Sequence, residues 1–334
     1  MKRLFIALLA ILPISASAQH NPETLRTAVA QPAERVEFIL PVVNGYNIYK
    51  VDLHTHSIYS DGETTPAFRV KEAYMDGLDA IAITEHVEYR RIEPKMLKFL
   101  KGYTDGKALK AENTDLIRNE ITESGIKADL NYPVTEAVKE SKKYGILVIP
   151  GAEITREPVK IGHFNALSTK DNNAIYDPDP MESIKKARKQ GALIQHNHPG
   201  WRRTTCAKTE FEKKVYDADL IDGVEIMNGS EFYPTVVTRA QERGLFMSAN
   251  TDIHSTTAMD YQGIGHMRNM TFVLAKDQTL PSLKEALLAR RTLAYSFGTI
   301  AGDEQLVKDF FMACVEFKVV NKNANGTTTM RLVN

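Results

Sequence analysis

From residue 46 onward, short apolar runs alternate with amphipathic stretches of helical period, and this alternation is the strongest constraint on the fold. Strand-like runs fall at residues 50–53, 79–83, 146–149, 163–167, 192–194, 224–227 and 245–249, and most are separated by helix-like segments such as 66–76, 134–144, 181–190 and 235–243. Four of those segments run into Gly77, Gly145, Gly191 and Gly244, the residue type expected just past a helix end. Thr65-Pro66 is a start signal, a capping hydroxyl followed by proline at the first helical position. Repeated strand–helix units with apolar strands predict a parallel sheet, either closed into a barrel or open and doubly wound.

Polar residues decide between those alternatives. His54 and His56 follow the first strand, Glu85-His86 the second and Glu153 the third; His163 opens the fourth. His196-Asn197-His198 follow the fifth and Asp252-Ile253-His254 the seventh. A barrel gathers the C-terminal ends of separate strands on one rim, which favours the barrel.

Two imidazoles two residues apart on an extended segment leave the same face and form a ready pair of metal ligands. Nine histidines in 334 residues should give about 0.2 H-x-H pairs by chance, and the chain has two. His54, His56, Asp61, His86, Glu153, His163, His198, Asp252 and His254 make nine candidate ligands. One catalytic ion needs about three, so nine predict two to three divalent ions. Mixed imidazole and carboxylate suits zinc, manganese or iron alike.

His54-Thr55-His56, Ser60-Asp61-Gly62, Thr84-Glu85-His86, Gly151-Ala152-Glu153, His198-Pro199 and Asp252-Ile253-His254 occur in that order, and together they resemble the PHP (polymerase and histidinol phosphatase) domains. The resemblance covers roughly residues 46–300 and implies an α/β fold, a distorted (β/α)7 TIM-like barrel, with metal-dependent phosphoesterase chemistry. It also implies a ligand partition. His54, His56, Glu153 and Asp252 would hold one ion; Glu153 would bridge to a second held by His163 and His198; Asp61, His86 and His254 would hold a third. The chain has Thr-Glu-His where Thr-Asp-His is common, at a position that is not a ligand in the pattern. Paired ions can supply hydroxide near neutral pH and neutralise phosphoryl oxygens, so no serine or cysteine nucleophile is required. For the general acid, His254, His196 or a third-metal water remain open.

Trp201, Arg202 and Arg203 follow His198-Pro199-Gly200 directly and are candidate substrate contacts, since arginine matches phosphate with paired donors. Asn228 at the end of the sixth strand is another, and Tyr233 and Arg268 are weaker ones. Residues 87–131 exceed what one barrel unit needs and predict a rim insertion over the site. Segments 310–321 and 327–333 alternate around an Asn-Ala-Asn-Gly turn and predict a C-terminal β-hairpin extension spanning 301–334.

Lys2 and Arg3 precede an apolar run and Ala16-Ser17-Ala18, the pattern of a secretory signal peptide over residues 1–18. Its removal takes two cations and leaves a formal charge of −2 on 316 residues, with 19–45 as an N-terminal lead-in. Export with only Cys206 and Cys314 fits a bacterial periplasm better than a disulfide-built secreted module. The run is too short to span a bilayer, so no stable membrane insertion is expected. Balanced charge, 42 basic and 42 acidic residues, gives no reason to expect a nucleic-acid polymer as partner. The expected partner is a small phosphoester, with a diester slightly favoured over a monoester. The alternatives are an amidohydrolase-like reaction on the same metals and a non-catalytic exported metal- or glycan-binding protein.

Overall fold

The computed structural model describes residues 34–87, 129–155 and 161–334. The signal segment 1–18, the first part of the lead-in and nearly all of the rim insertion lie outside the described residues.

All seven apolar runs form strands. β1 (Asn47–Asp52), β2 (Ala80–Ile83) and the start of β3 (Leu147–Thr155) pair in parallel. Between them run α1 (Pro66–Met75) and α2 (Tyr132–Ser141). The Thr65 hydroxyl accepts from the Phe68 amide and starts α1; Gly77, at φ 85°, lets the chain turn back after it. β4 (His163–Leu167) runs antiparallel to β3 and to β5 (Leu193–His196), with α3 (Pro180–Lys189) leading into β5. This corrects the expectation of a parallel sheet throughout. Only seven residues join β3 to β4, and a parallel crossover needs a dozen or more. After α4 (Glu210–Asp217), parallel pairing resumes through β6 (Gly223–Asn228) and β8 (Phe246–Asn250). The two-residue β7 (Glu231–Phe232) and α5 (Pro234–Arg243) lie between those strands.

On the other side of β1 comes an antiparallel meander of β9 (Met270–Ala275), β10 (Thr292–Ser296) and β11 (Thr299–Gly302). α6 (Thr257–Asp260) precedes it, and α7 (Leu280–Leu288) connects β9 to β10. The curled, mixed sheet brings β8 back to this meander. There Thr271 Oγ1 accepts from the Ala249 amide at 3.1 Å and donates to its carbonyl at 3.0 Å. Thr292 Oγ1 accepts from the Met247 amide at 3.2 Å.

Leu53, Ile149, Leu167, Leu193 and Phe246 pack in one buried apolar cluster. A buried polar group stands beside it, formed by Asn165, Gln195, Glu225, Ser248 and Asn250, all without solvent exposure. Ser248 donates to Gln195 Oε1 at 2.8 Å and Asn250 Nδ2 to Glu225 Oε1 at 2.9 Å, so these groups are satisfied by one another. The described part of the lead-in is ordered against α1, where the Val36 amide donates to the Met75 carbonyl at 2.8 Å.

The stretch expected to open the hairpin at residue 310 is instead the end of α8 (Glu304–Cys314). Asp303 caps it, accepting from the Leu306 amide, and Leu306, Val307 and Phe310 form an apolar helical face against Ile48, Phe272 and Leu293. Strand pairing begins only at β12 (Glu316–Lys322), which is antiparallel to β13 (Thr328–Val333).

Candidate metal centre

Backbone pairing beyond the strand ends sets the site. Thr55 bridges in parallel to Ile253, with the His56 amide donating to Ile253 O at 3.1 Å and the Asp252 amide to His54 O at 2.9 Å. Segments 54–56 and 252–254 therefore run side by side. His86 bridges to Glu153 in the same way past the ends of β2 and β3. Asp252 and His198 both have positive φ, 51° and 26°, a conformation that non-glycine residues rarely adopt and that clusters at functional sites.

All nine candidate ligands converge. His54 Nε2, His56 Nε2 and Asp252 Oδ1 form a triangle with every edge 3.1 Å. Metal–ligand bonds of about 2.0–2.1 Å place neighbouring ligand atoms about 2.9–3.4 Å apart, so the triangle has the spacing of a coordination face. Glu153 is ringed by five imidazoles. Its Oε1 lies 3.4 Å from His54 Nε2, 3.4 Å from His163 Nδ1 and 3.6 Å from His198 Nε2; its Oε2 lies 3.4 Å from His56 Nε2 and 2.8 Å from His86 Nδ1. Asp61 Oδ1 lies 3.1 Å from His254 Nε2 and 3.2 Å from His86 Nε2. Glu153 Oε2, Asp61 Oδ1 and His163 Nε2 are buried without a hydrogen bond among the described residues. Buried polar atoms are normally satisfied, so a set this unsatisfied fits cations. The residues fall into four overlapping groups able to hold an ion: His56/Asp61/His86/His254, His54/His56/Glu153, His54/His198/Asp252 and Glu153/His163/His198.

Electrostatics pull the two residue types apart. Burial opposes ionisation of Glu153, yet His54 and His86 hold its carboxyl well below the usual range. Asp61 is likewise held low, against burial, by His254 and His86. Burial lowers His54, but Asp252, Glu153 and Glu225 outweigh it and raise it well above an ordinary imidazole. His56 goes the other way, to about 3, because burial is reinforced by His254 and His86.

A second layer of residues fixes the ligands. Glu225 accepts from His54 Nδ1 at 2.9 Å, so a proton sits on Nδ1 and Nε2, which faces Asp252 and Glu153, is the nitrogen left to coordinate an ion. Its other oxygen accepts from the His198 amide at 2.7 Å. Ser57 and Ser60 both donate to Glu85, and Ser60 Oγ lies 3.3 Å from His56 Nδ1, which ties Glu85, past the end of β2, to His56, past the end of β1. Buried Arg69 gathers both rim segments, donating to His56 O at 2.7 Å and His254 O at 2.8 Å. The sequence reading missed Glu225 and Arg69. The one signal for Glu225 was a carboxylate inside an otherwise apolar strand run, 224–227.

The other candidates divide. Trp201 stands beside the site, its ring 5.3 Å from His163 and 5.4 Å from His198, with Arg202 stacked on it at 4.5 Å. Arg203 turns away and forms a paired contact with buried Glu212 at 2.6 and 3.0 Å, which corrects its expected phosphate role. Asn228 donates to Glu225 at 2.9 Å and is a support rather than a substrate contact. His196 spends both ring nitrogens on Tyr216 Oη at 3.0 Å and Glu212 at 3.1 Å, which removes it as a general acid. Arg268 is buried between Asp52 and Asp76, and Tyr233 donates to Glu231.

Comparison with known proteins agrees with this geometry. An uncharacterized protein of Methanocaldococcus jannaschii is 27% identical over 218 residues, 62% of this chain and 82% of that protein. A solved Bacteroides vulgatus protein, described as a two-domain protein containing a predicted PHP-like metal-dependent phosphoesterase, is 34% identical with a TM-score of 0.75, covering 91% of this chain and 80% of that one. Residues 52–278, which contain all nine converging ligands, match the PHP domain, and the chain belongs to that family.

Proposed function

We propose that this protein hydrolyses phosphoester bonds of small organic molecules, using two to three divalent ions held by His54, His56, Asp61, His86, Glu153, His163, His198, Asp252 and His254. The observation that carries the reading is the ring of five imidazoles around Glu153, which places one carboxylate where it can serve two neighbouring ions. Bound divalent ions lower the pKa of water and neutralise phosphoryl oxygens.

The protein's own groups do the positioning. Glu225 keeps the Nε2 lone pair of His54 free, and the Asp252 carbonyl, 2.7 Å from His254 Nδ1, does the same for His254. His254 is the most exposed of the nine, at 36% of its side chain, so it is the ligand best placed to exchange a proton with solvent or a leaving alcohol. We place the reaction outside the cytoplasm, in the periplasm, on the strength of the N-terminal leader pattern. The reading takes both monoesters and diesters as substrates.

The test pairs metal analysis of the purified protein with hydrolysis of p-nitrophenyl phosphate and bis(p-nitrophenyl) phosphate, with and without added Mn²⁺ or Zn²⁺. Two to three ions per chain with metal-dependent release of nitrophenol is the expected result. Stoichiometric metal with neither ester cleaved would overturn the phosphoesterase reading.

A further inference from the structure

Two adjacent arginines on the rim have opposite fates. Arg203 is the anchor. Its guanidinium forks onto Glu212, which is itself held by His196 at 3.1 Å and by the Thr209 amide at 2.8 Å. Gly200 fixes the loop from the other side, because a Cβ there would lie 2.6 Å from the Tyr233 ring. The Trp201 amide donates to His198 O at 2.9 Å and the Arg203 amide to Gly200 O at 3.0 Å, closing two consecutive turns. Arg202 is the residue this frame presents. Its backbone is left-handed, φ 52°, a conformation that non-glycine residues rarely adopt. It is exposed, and among the described residues it has neither an ion pair nor a hydrogen bond. Its partner among the described residues is the face of Trp201, 4.5 Å from the guanidinium carbon.

That placement assigns separate tasks. The Trp201 ring touches both sides of this arrangement, meeting Arg202 and the imidazoles of His163 and His198. The guanidinium meets Trp201 and, among the described residues, pairs with none of the candidate ligand carboxylates, so it stands at the rim of the cluster and not within it. We infer that Arg202, braced on Trp201, recognises a second anionic group on the substrate. The site then favours phosphoesters whose organic part carries a further carboxylate or phosphate. The inference rests on the phosphoesterase reading of the neighbouring metal site. Its physical basis is an unpaired, preorganised planar donor set, which loses little freedom on meeting an oxyanion and matches it with two hydrogen bonds. Trp201 acts here as a positioning residue, since Arg202 already covers one of its faces.

Trp201 is the only tryptophan in the chain, so its fluorescence reports on this contact directly. The metal-loaded protein is titrated with 3-phosphonopropionate and with propylphosphonate, which differ by one carboxylate and cannot be hydrolysed. The carboxylated probe should bind at least tenfold more tightly, and Arg202→Ala should bring the two affinities within about twofold of one another. Equal binding of both probes by the wild-type protein, or an undiminished preference in Arg202→Ala, overturns the inference. Hydrolysis of p-nitrophenyl phosphate by the same preparation tests the underlying reading separately. Selectivity without any ester cleavage would leave the Arg202 site standing and sink the phosphoesterase; cleavage without selectivity would do the reverse.

Discussion

Glu225→Gln changes almost no volume, and the hydrogen-bond pattern around it says what the change would do. The carboxylate is without solvent exposure and accepts on both oxygens. Oε1 takes His54 Nδ1 and Asn250 Nδ2, each at 2.9 Å; Oε2 takes the His198 amide at 2.7 Å and Asn228 Nδ2 at 2.9 Å. A glutamine must put an NH2 against one of these pairs. Facing the Oε1 partners, it forces the His54 proton onto Nε2, where it meets Asp252 and ends the ring's use as a ligand. Asn250 has no easy escape by rotating its amide, because its Oδ1 already accepts from the Leu53 amide at 2.9 Å. Facing the Oε2 partners, the NH2 meets a backbone N–H that has no alternative orientation. Either way at least one buried donor is left unpaired, a loss of about 1–3 kcal/mol. That corresponds to a drop in Tm of roughly 1–4 °C for a chain of this size. Loss of the outer carboxylate should also weaken metal binding by about 10- to 100-fold. Thermal melts of the metal-free protein and titration with chelator-buffered Mn²⁺ or Zn²⁺ measure the two effects. Wild-type Tm and wild-type metal affinity in Glu225→Gln would refute the account of Glu225 as the residue that sets the His54 tautomer.

Further outcomes follow from neighbouring contacts. His54→Ala removes a corner of the 3.1 Å triangle and should abolish metal-dependent turnover while far-UV circular dichroism stays native; undiminished hydrolysis would remove His54 from the site. Arg203→Ala should cost about 1–3 kcal/mol of stability in chemical denaturation, because Glu212 is buried and loses its paired donor; an unchanged midpoint would mean that the pair is not an anchor. Burial raises Glu212, but His196 and Arg203 outweigh it and hold the carboxyl at about 2. Its folded pKa is thus below the unfolded value, the unfolded chain binds more protons between roughly pH 4.5 and 2, and stability on the order of 3 kcal/mol is lost as pH falls through that window. Glu212→Gln should flatten that part of the pH–stability curve, and an identical acid slope in the two proteins would count against it. Gly223→Ala places a methyl 2.2 Å from the Phe246 ring, and overpacking of that kind should destabilise by about 1–3 kcal/mol, read in the same denaturation assay.

Most of the candidate ligands were legible because they sit at or just past the end of an apolar run, so strand periodicity and residue chemistry point to the same positions. His54, His56, His86, Glu153, His198 and Asp252 needed no long-range information to be singled out. What the sequence could not show lies in contacts between distant segments. The partner that fixes the His54 tautomer is 171 positions away, and Arg69 reaches His254 O across 185. The orientation of β4 is hidden for a different reason: its apolar pattern suits either direction, and only the seven-residue link behind it excludes the parallel one. In α8, Phe310 to Cys314 reads equally well as alternation or as part of a helical face, and the Asp303 cap together with the apolar cluster it packs on decides for the helix. The rim arginines make the same point at the finest scale. Arg202 and Arg203 are chemically identical and adjacent, and as sequence they were equal candidates for holding phosphate. A buried glutamate faces the second, and among the described residues no carboxylate pairs with the first. One is thereby committed to holding the loop, while the other meets only the Trp201 face among the described residues. Assigning substrate contacts in this site therefore depends on counting which cations the protein has already neutralised, and among the described residues Arg202, at the Trp201 face, has no carboxylate partner.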